Sequence, residues 1–222
     1  MNVTDAVLAR HAARAFKPDP VSADLIRKLL ETAKRAPSGG NLQPWRVFAL
    51  AGQALADFKA LIASKLEVGI DGELPDYHVY PPGLWEPLRS RRRVAGAMRY
   101  AALGLPRSDE SQLVLKVRNF QFFGAPVGLF FCLDRRVGPP QWADVGMYMQ
   151  TLMLLAVEHG LATCPQEVWA NWPKTIADYL QLSSELMLFA GMSLGYEDAS
   201  APINEFRTDR EAFENFAQMI GF

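Results

Sequence analysis

Residues 125–133 read Ala-Pro-Val-Gly-Leu-Phe-Phe-Cys-Leu, a run without a single charged or strongly polar side chain. It does not alternate between apolar and polar positions, so it has no face to offer water. A run of this length, carrying β-branched and aromatic residues, predicts a central strand buried on both sides. Trp142–Glu158 follows, with Val145, Met147, Met149, Leu152, Met153, Leu154, Leu155, Ala156 and Val157 distributed around the helical circumference. That pattern predicts a helix buried on most of its surface. It is too short, and too interrupted by Gln150 and Thr151, to cross a bilayer. His159-Gly160 closes it, a cation in the last turn followed by a natural left-handed cap. Leu186–Leu194 is a second buried strand. Helices laid against a few hydrophobic strands, without regular βαβ alternation, indicate an α+β fold with a mostly antiparallel sheet.

The rest of the chain fits around this centre. Val3, Ala6, Val7 and Leu8 predict an opening helix that runs to Arg10 and His11. Ser22 is a natural N-cap for a second helix carrying Leu25, Ile26, Leu29, Leu30 and Ala33, which Pro37 and Gly39-Gly40 bring to a stop. Trp45–Leu50 reads as a strand, and residues 53–66 and 108–122 as amphipathic helices. Residues 67–107 hold Pro75, Pro81, Pro82, Pro87 and Pro106 with the basic run Arg89, Arg91, Arg92 and Arg93. This stretch reads as part loop and part helix, and the span 67–123 as an excursion that covers a site. The Arg89–Arg93 run reads as a solvated helix face, and Phe120, Phe122 and Phe123 as core. No composition shift or low-complexity linker divides residues 1–222, which are expected to form one domain.

Charge and motif content then remove whole classes of function. The 222 residues carry 23 Lys and Arg against 24 Asp and Glu, a formal net charge of −1. That balance gives no general drive toward nucleic acid or an anionic membrane. Cys132 and Cys164 stand far apart in apolar sequence, outside any CxxC motif, and the N-terminus lacks the apolar core of a signal peptide; a cytoplasmic protein is expected. GxxxxGK[ST], GxGxxG between strand and helix, GxSxG and HExxH are all missing. No metal site and no nucleophilic side chain is therefore expected.

Two stretches retain chemistry. In Arg10-His11-Ala12-Ala13-Arg14-Ala15-Phe16 the two arginines are four apart. On a helix they would share a face, where converging guanidinium groups suit a phosphate; two solvated charges at a helix end are the plainer reading. In Pro37-Ser38-Gly39-Gly40-Asn41-Leu42-Gln43-Pro44-Trp45, a helix stop and tight loop are followed by amide donors and acceptors beside a large flat ring. That set could hold a planar heteroaromatic group by edge and face, and equally could serve the loop alone.

Taken together, RHxxRxF and the APSGGNxQPW loop resemble the nitroreductase family of FMN-dependent flavoproteins. Thr163-Cys164-Pro165-Gln166-Glu167, Gly191-Met192-Ser193-Leu194-Gly195 and Asn204-Glu205-Phe206-Arg207 agree with it. The chain is most similar to the nitrobenzoate- and nitroarene-reductase-like branch. The resemblance implies an intertwined homodimer with FMN at the subunit interface. It places Arg10, His11, Ala12, Arg14 and Arg207 at the phosphate and ribityl chain. Pro37, Ser38, Gly39, Gly40, Asn41 and Gln43 would approach from one subunit, and Pro165, Gln166 and Glu167 from the other. A backbone N–H near Glu167 would face flavin N5, and Asn41 and Phe123 the substrate. The implied activity is transfer of hydride from NADPH or NADH to a nitroaromatic, quinone or related small aromatic acceptor, by a ping-pong course. Other redox chemistry of this architecture (dehalogenation, ring oxidation, flavin fragmentation) and flavin binding without turnover are the alternatives. Ala12 stands where many relatives have Ser, Val168 where many have Gly, and Glu205 where some have Lys.

Overall fold

A computed structural model describes residues 1–69 and 72–222; two residues of the 67–123 excursion, Ile70 and Asp71, lie outside the described residues. Four strands, β1 (Arg46–Ala51), β2 (Val127–Asp134), β3 (Ala162–Gln166) and β4 (Leu186–Gly195), pair antiparallel in the order β1-β2-β4-β3. The apolar run at 127–133 is therefore a central strand, as its composition requires. Leu129, Phe131 and Leu133 point into one core and Phe130 and Cys132 into the other, and all five are fully buried.

The first core lies between the sheet and helices α2 (Ala23–Ala33) and α6 (Pro139–Glu158). α6 buries Val145, Tyr148, Met149, Leu152, Met153 and Ala156. The second core lies under α3 (Gly52–Glu67), α5 (Asp109–Phe120) and α7 (Pro173–Leu180), and is dominated by aromatic rings. Trp169 stacks on Phe122 at 4.7 Å between centroids and meets Phe58, Phe120 and Phe130 at 5.2–5.5 Å. Gly191 of β4 is glycine because this stack leaves no room: a Cβ there would lie 2.3 Å from Trp169 Cδ1.

α1 (Val3–Ala9) opens the chain, capped reciprocally by Asn2 and Asp5, and Ser22 caps α2 through the Leu25 N–H at 3.2 Å. Within the excursion, α4 (Leu88–Ala102) exposes Arg89, Arg91, Arg92 and Arg93, the solvated face expected of them. A short α8 (Phe213–Phe216) lies near the C-terminus. β3 and α7 escape the sequence reading because each is short and its apolar residues are diluted by polar and proline positions.

Two expectations are corrected. α1 ends at Ala9, so Arg10 and Arg14 do not share a helical face. The segment after it is extended, with Ala12 bridged in parallel to Thr163 of β3. Extended chain also puts residues two and four apart on one side, so Arg10, Ala12 and Arg14 are half-buried while Ala13 and Ala15 are buried. The second correction concerns Trp45. It is 8% exposed and stacks on Tyr148 at 5.0 Å, so its ring serves the core and offers no platform beside the loop amides.

Candidate functional site

The bridge between Ala12 and Thr163 joins two motifs far apart in sequence. The Ala13 N–H donates to the Thr163 carbonyl at 3.0 Å, which seats the Arg10–Arg14 segment along β3 and next to Pro165, Gln166 and Glu167. Asn204, 3% exposed, brings in the C-terminal motif. Its Oδ1 accepts the Arg14 N–H at 2.7 Å. Its Nδ2 donates to the carbonyls of Ala15 at 2.8 Å and Asp198 at 2.9 Å, and its own carbonyl accepts Arg207 Nη1 at 2.6 Å. One buried residue thus fixes the backbone of Arg14 through its side-chain amide and the side chain of Arg207 through its backbone carbonyl.

The result is a concentration of unneutralised positive charge. Among the described residues, Arg10, Arg14, Arg99, Arg207 and Arg210 have no carboxylate within ion-pair distance. Arg14 Nη1 donates to the Ala12 carbonyl at 3.2 Å, and its guanidinium lies 5.9 Å from the centre of the Phe206 ring. Burial and the nearby Arg210 charge lower the pKa of Arg10, and burial and the Arg14 charge lower that of Arg99. Half-buried like charges held together cost free energy unless an anion lies among them. The chemistry of this donor set, guanidinium forks without acids, suits a phosphate.

His11 sits at the edge of the cluster with both ring nitrogens engaged: Nε2 with Glu197 Oε1 at 2.8 Å and Nδ1 with the Ala9 carbonyl at 3.2 Å. Gln166 is 3% exposed and its side chain is committed inward. Nε2 donates to Asn119 O and Oδ1 at 2.7 and 2.6 Å, and Oε1 accepts the Ser193 hydroxyl at 2.8 Å. Glu167 follows at the surface, where partial desolvation raises its carboxyl pKa.

The Pro37–Gln43 loop lies elsewhere. It leads into β1, at the opposite edge of the sheet from β3 and the Ala12 segment, so four strand spacings, roughly 19 Å, separate the two. Gly39, Gly40, Asn41 and Gln43 are exposed; Gly40, Asn41 and Gln43 all have positive φ, of 56°, 58° and 49°. Such backbone is strained at the two non-glycine positions and needs external support. Ser38 Oγ accepts the Gln43 N–H at 3.0 Å, and the Asp144 carboxylate, 5% exposed on α6, accepts the Gly39 N–H at 3.2 Å. A Cβ at Gly39 or Gly40 would meet nothing within 4 Å, so the loop presents open backbone. Phe123, at φ 54° beside Phe122 at φ 51°, is 9% exposed.

Arg99, Arg210, Asp144 and Glu197 were not found from sequence. Asp144 did carry a signal, as the one acid inside a nearly apolar helix; Arg99 did too, seven residues beyond Arg92 and so on its helical face. Among the described residues no group of three His, Cys, Asp or Glu side chains could hold a metal, and no helix is long and apolar enough to cross a membrane.

Comparison with known proteins points the same way. The model of the nitroreductase family matches residues 7–196. The chain is 38% identical over 221 residues to 4-nitrobenzoate reductase of Pseudomonas putida, covering 98% of this chain and 96% of that protein. It is 35% identical over 219 residues to nitrobenzene nitroreductase of Ectopseudomonas oleovorans, with the same coverage. Among solved structures, the FMN and NADPH-dependent nitroreductase NfnB from Sphigopyxis sp. strain HMH superposes with a TM-score of 0.95 at 40% identity over the whole of both chains. The FMN-dependent nitroreductase NfnB from Mycobacterium smegmatis, in complex with NADPH, gives 0.91 at 30% identity, covering 99% of this chain and 100% of that one.

Proposed function

The chain belongs to the nitroreductase family, and from that membership we propose that it is a cytoplasmic, homodimeric, FMN-dependent NAD(P)H oxidoreductase that reduces nitroaromatic, quinone or related acceptors. The observation that carries the reading is the gathering of Arg14 and Arg207 at Asn204, with Arg10 on the same extended segment as Arg14 and no carboxylate in ion-pair distance of the three among the described residues. Their fit to a phosphate dianion is chemical: several convergent charged donors, partly withdrawn from water. Arg10, Arg14 and Arg207 would hold the phosphate, with His11 and Ala12 lining the ribityl path.

The dimer reading rests on the split between the two half-sites. Within one chain the arginine cluster with Pro165, Gln166 and Glu167 stands at one sheet edge and Pro37–Gln43 at the other. Two copies would bring the cluster of one against the loop of its partner. A single copy also leaves Val3 and Leu8 of α1 and Phe216, Met219, Ile220 and Phe222 of the C-terminal segment 58–98% exposed, large apolar side chains that a second copy would have reason to cover.

Bound FMN would supply the redox chemistry, taking hydride from NAD(P)H and giving electrons to the acceptor from the same cavity. The protein's own contribution is orientation and electrostatics. Asp144 holds the Gly39 N–H so that the strained loop keeps its open backbone toward the ring, with Ser38, Gly40 and Gln43 beside it. Gln166, locked by Asn119 and Ser193, fixes the end of β3 and so the backbone N–H near Glu167, the donor proposed for the reacting edge. Asn41 and Phe123 would face the acceptor. No side chain needs to act as a nucleophile.

Stopped-flow mixing tests the reading: the purified protein should be yellow, NADPH or NADH should bleach it anaerobically, and 4-nitrobenzoate, nitrobenzene or a quinone should restore the colour. A colourless protein that gains no thermal stability with FMN, or a yellow one that neither nicotinamide reduces, would overturn it.

A further inference from the structure

Arg14 is held by side chains at both of its backbone polar groups. Its N–H donates to Asn204 Oδ1 at 2.7 Å, and its carbonyl accepts Arg118 Nη2 at 3.2 Å. Arg118 stands 104 residues away, in the last turn of α5, the last helix of the 67–123 excursion. A cation at a helix C-terminus ordinarily turns to the open carbonyls of its own last turn. Here the Gln121 N–H already serves the carbonyls of Val117 at 3.0 Å and Arg118 at 3.2 Å, and the guanidinium reaches across to the extended segment instead. Arg118 is half-buried and, among the described residues, has no carboxylate within ion-pair distance. The two residues that follow it grip the neighbouring elements. Asn119 accepts Gln166 Nε2 at its carbonyl and its Oδ1, at 2.7 and 2.6 Å. Phe120, 1% exposed, meets Trp169 of the Glu167–Asn171 turn at 5.2 Å between ring centres. Successive helical residues point about 100° apart, so one turn of α5 reaches three separate parts of the candidate site.

We infer that Arg118 is a positioning residue for the cofactor phosphate. It fixes the Arg14 carbonyl from α5 while Asn204 fixes the Arg14 N–H, and together they set the direction in which the Arg14 guanidinium leaves the backbone. The inference rests on the phosphate assignment proposed above and adds a residue that the RHxxRxF motif does not contain. One hydrogen bond leaves an extended residue free to pivot about it; a second at its other polar group removes that freedom. An arginine whose root is fixed beforehand loses less freedom on meeting an anion, which raises its affinity without a new contact. Donation from a charged group to a carbonyl is also stronger than the same bond from a neutral one, so a guanidinium suits the task.

A double-mutant cycle of Arg118→Met and Arg14→Ala, read by quenching of FMN fluorescence, tests this. In the wild-type background Arg118→Met should raise the Kd for FMN about tenfold. Arg118→Lys, which keeps a charged donor on a stem of nearly the same length, should stay within about threefold of wild type. In the Arg14→Ala background Arg118→Met should change the Kd by less than about twofold, because no guanidinium is left to orient. Additive effects would mean that Arg118 touches the cofactor itself or supports the fold independently of Arg14, and would overturn the inference. Unchanged FMN affinity in Arg118→Met, or no recovery in Arg118→Lys, would overturn it as well. If circular dichroism shows that Arg118→Met does not fold, the same cycle is read with Arg118→Gln, whose neutral amide ends two atoms short of the guanidinium. Failure of the phosphate assignment is distinct: it would appear as unchanged FMN affinity in Arg14→Ala and Arg207→Ala, and failure of the reductase reading as a flavin that neither NADPH nor NADH bleaches.

Discussion

Asn204→Ala isolates the amide on which the cluster hangs. The wild-type side chain makes three hydrogen bonds at 2.7–2.9 Å from a position 3% exposed. Alanine leaves the Arg14 N–H without its acceptor, a loss of about 1–3 kcal/mol for a buried donor. The Ala15 carbonyl retains the Asp198 N–H at 3.1 Å, and the Asp198 carbonyl belongs to a partly exposed residue, so these two losses cost roughly 0.5–1 kcal/mol each. The sum, about 3 kcal/mol, should lower the melting temperature of the cofactor-free protein by roughly 6–12 °C for a chain of this size. Arg207 keeps its contact, because Asn204 holds it through the backbone carbonyl. FMN affinity should therefore fall by about tenfold, through Arg14 alone. Thermal unfolding followed by circular dichroism gives the first quantity and quenching of FMN fluorescence the second. A melting temperature within about 2 °C of wild type, with FMN affinity unchanged, would refute the reasoning that this amide organises the cluster.

Arg14→Ala and Arg207→Ala should each weaken FMN binding by roughly 1.5–3 kcal/mol, measured by the same titration; unchanged affinity in both would remove the phosphate assignment. Gly191→Ala drives a Cβ to 2.3 Å from Trp169 Cδ1, and overpacking of this kind should cost about 1–3 kcal/mol in a urea titration; a neutral effect would mean the aromatic stack is loose. Glu167 has a folded pKa raised by desolvation, so the folded protein holds this proton to higher pH than the unfolded chain does. The stability from the protonated form is complete below the ordinary carboxylate pKa and is lost as pH rises through the folded value. Melting temperatures of Glu167→Gln and wild type should accordingly diverge in favour of the variant as pH rises above the ordinary carboxylate pKa, a constant difference contradicting the sign. Flavin reduction by NADPH should stay close to wild type in Glu167→Gln, since the backbone N–H is the proposed donor; a large loss of rate would show that the side chain takes part.

Periodicity and unbroken apolarity determined much of this protein by themselves. A strand with no polar face must be central, which places 127–133; a helix apolar all round must be buried, which places α6. The cap at Ser22, the solvated arginines of α4 and the family resemblance were equally legible, because each depends on local residue type and spacing. Arg10 and Arg14 show where local reasoning stops. Their four-residue interval allows a shared face on a helix or on an extended chain, and only the bridge from Ala12 to Thr163 selected the second. Trp45 met the same limit, since nothing beside it in sequence announces Tyr148. The roles of Asn204, Asp144 and Arg118 belong wholly to tertiary structure: each acts on a partner distant in sequence, brought near by the order of the strands and the packing of the excursion helix. A chain that is almost neutral overall fixes how many arginines there are; which of them lack a counter-charge is decided only when the fold determines their neighbours.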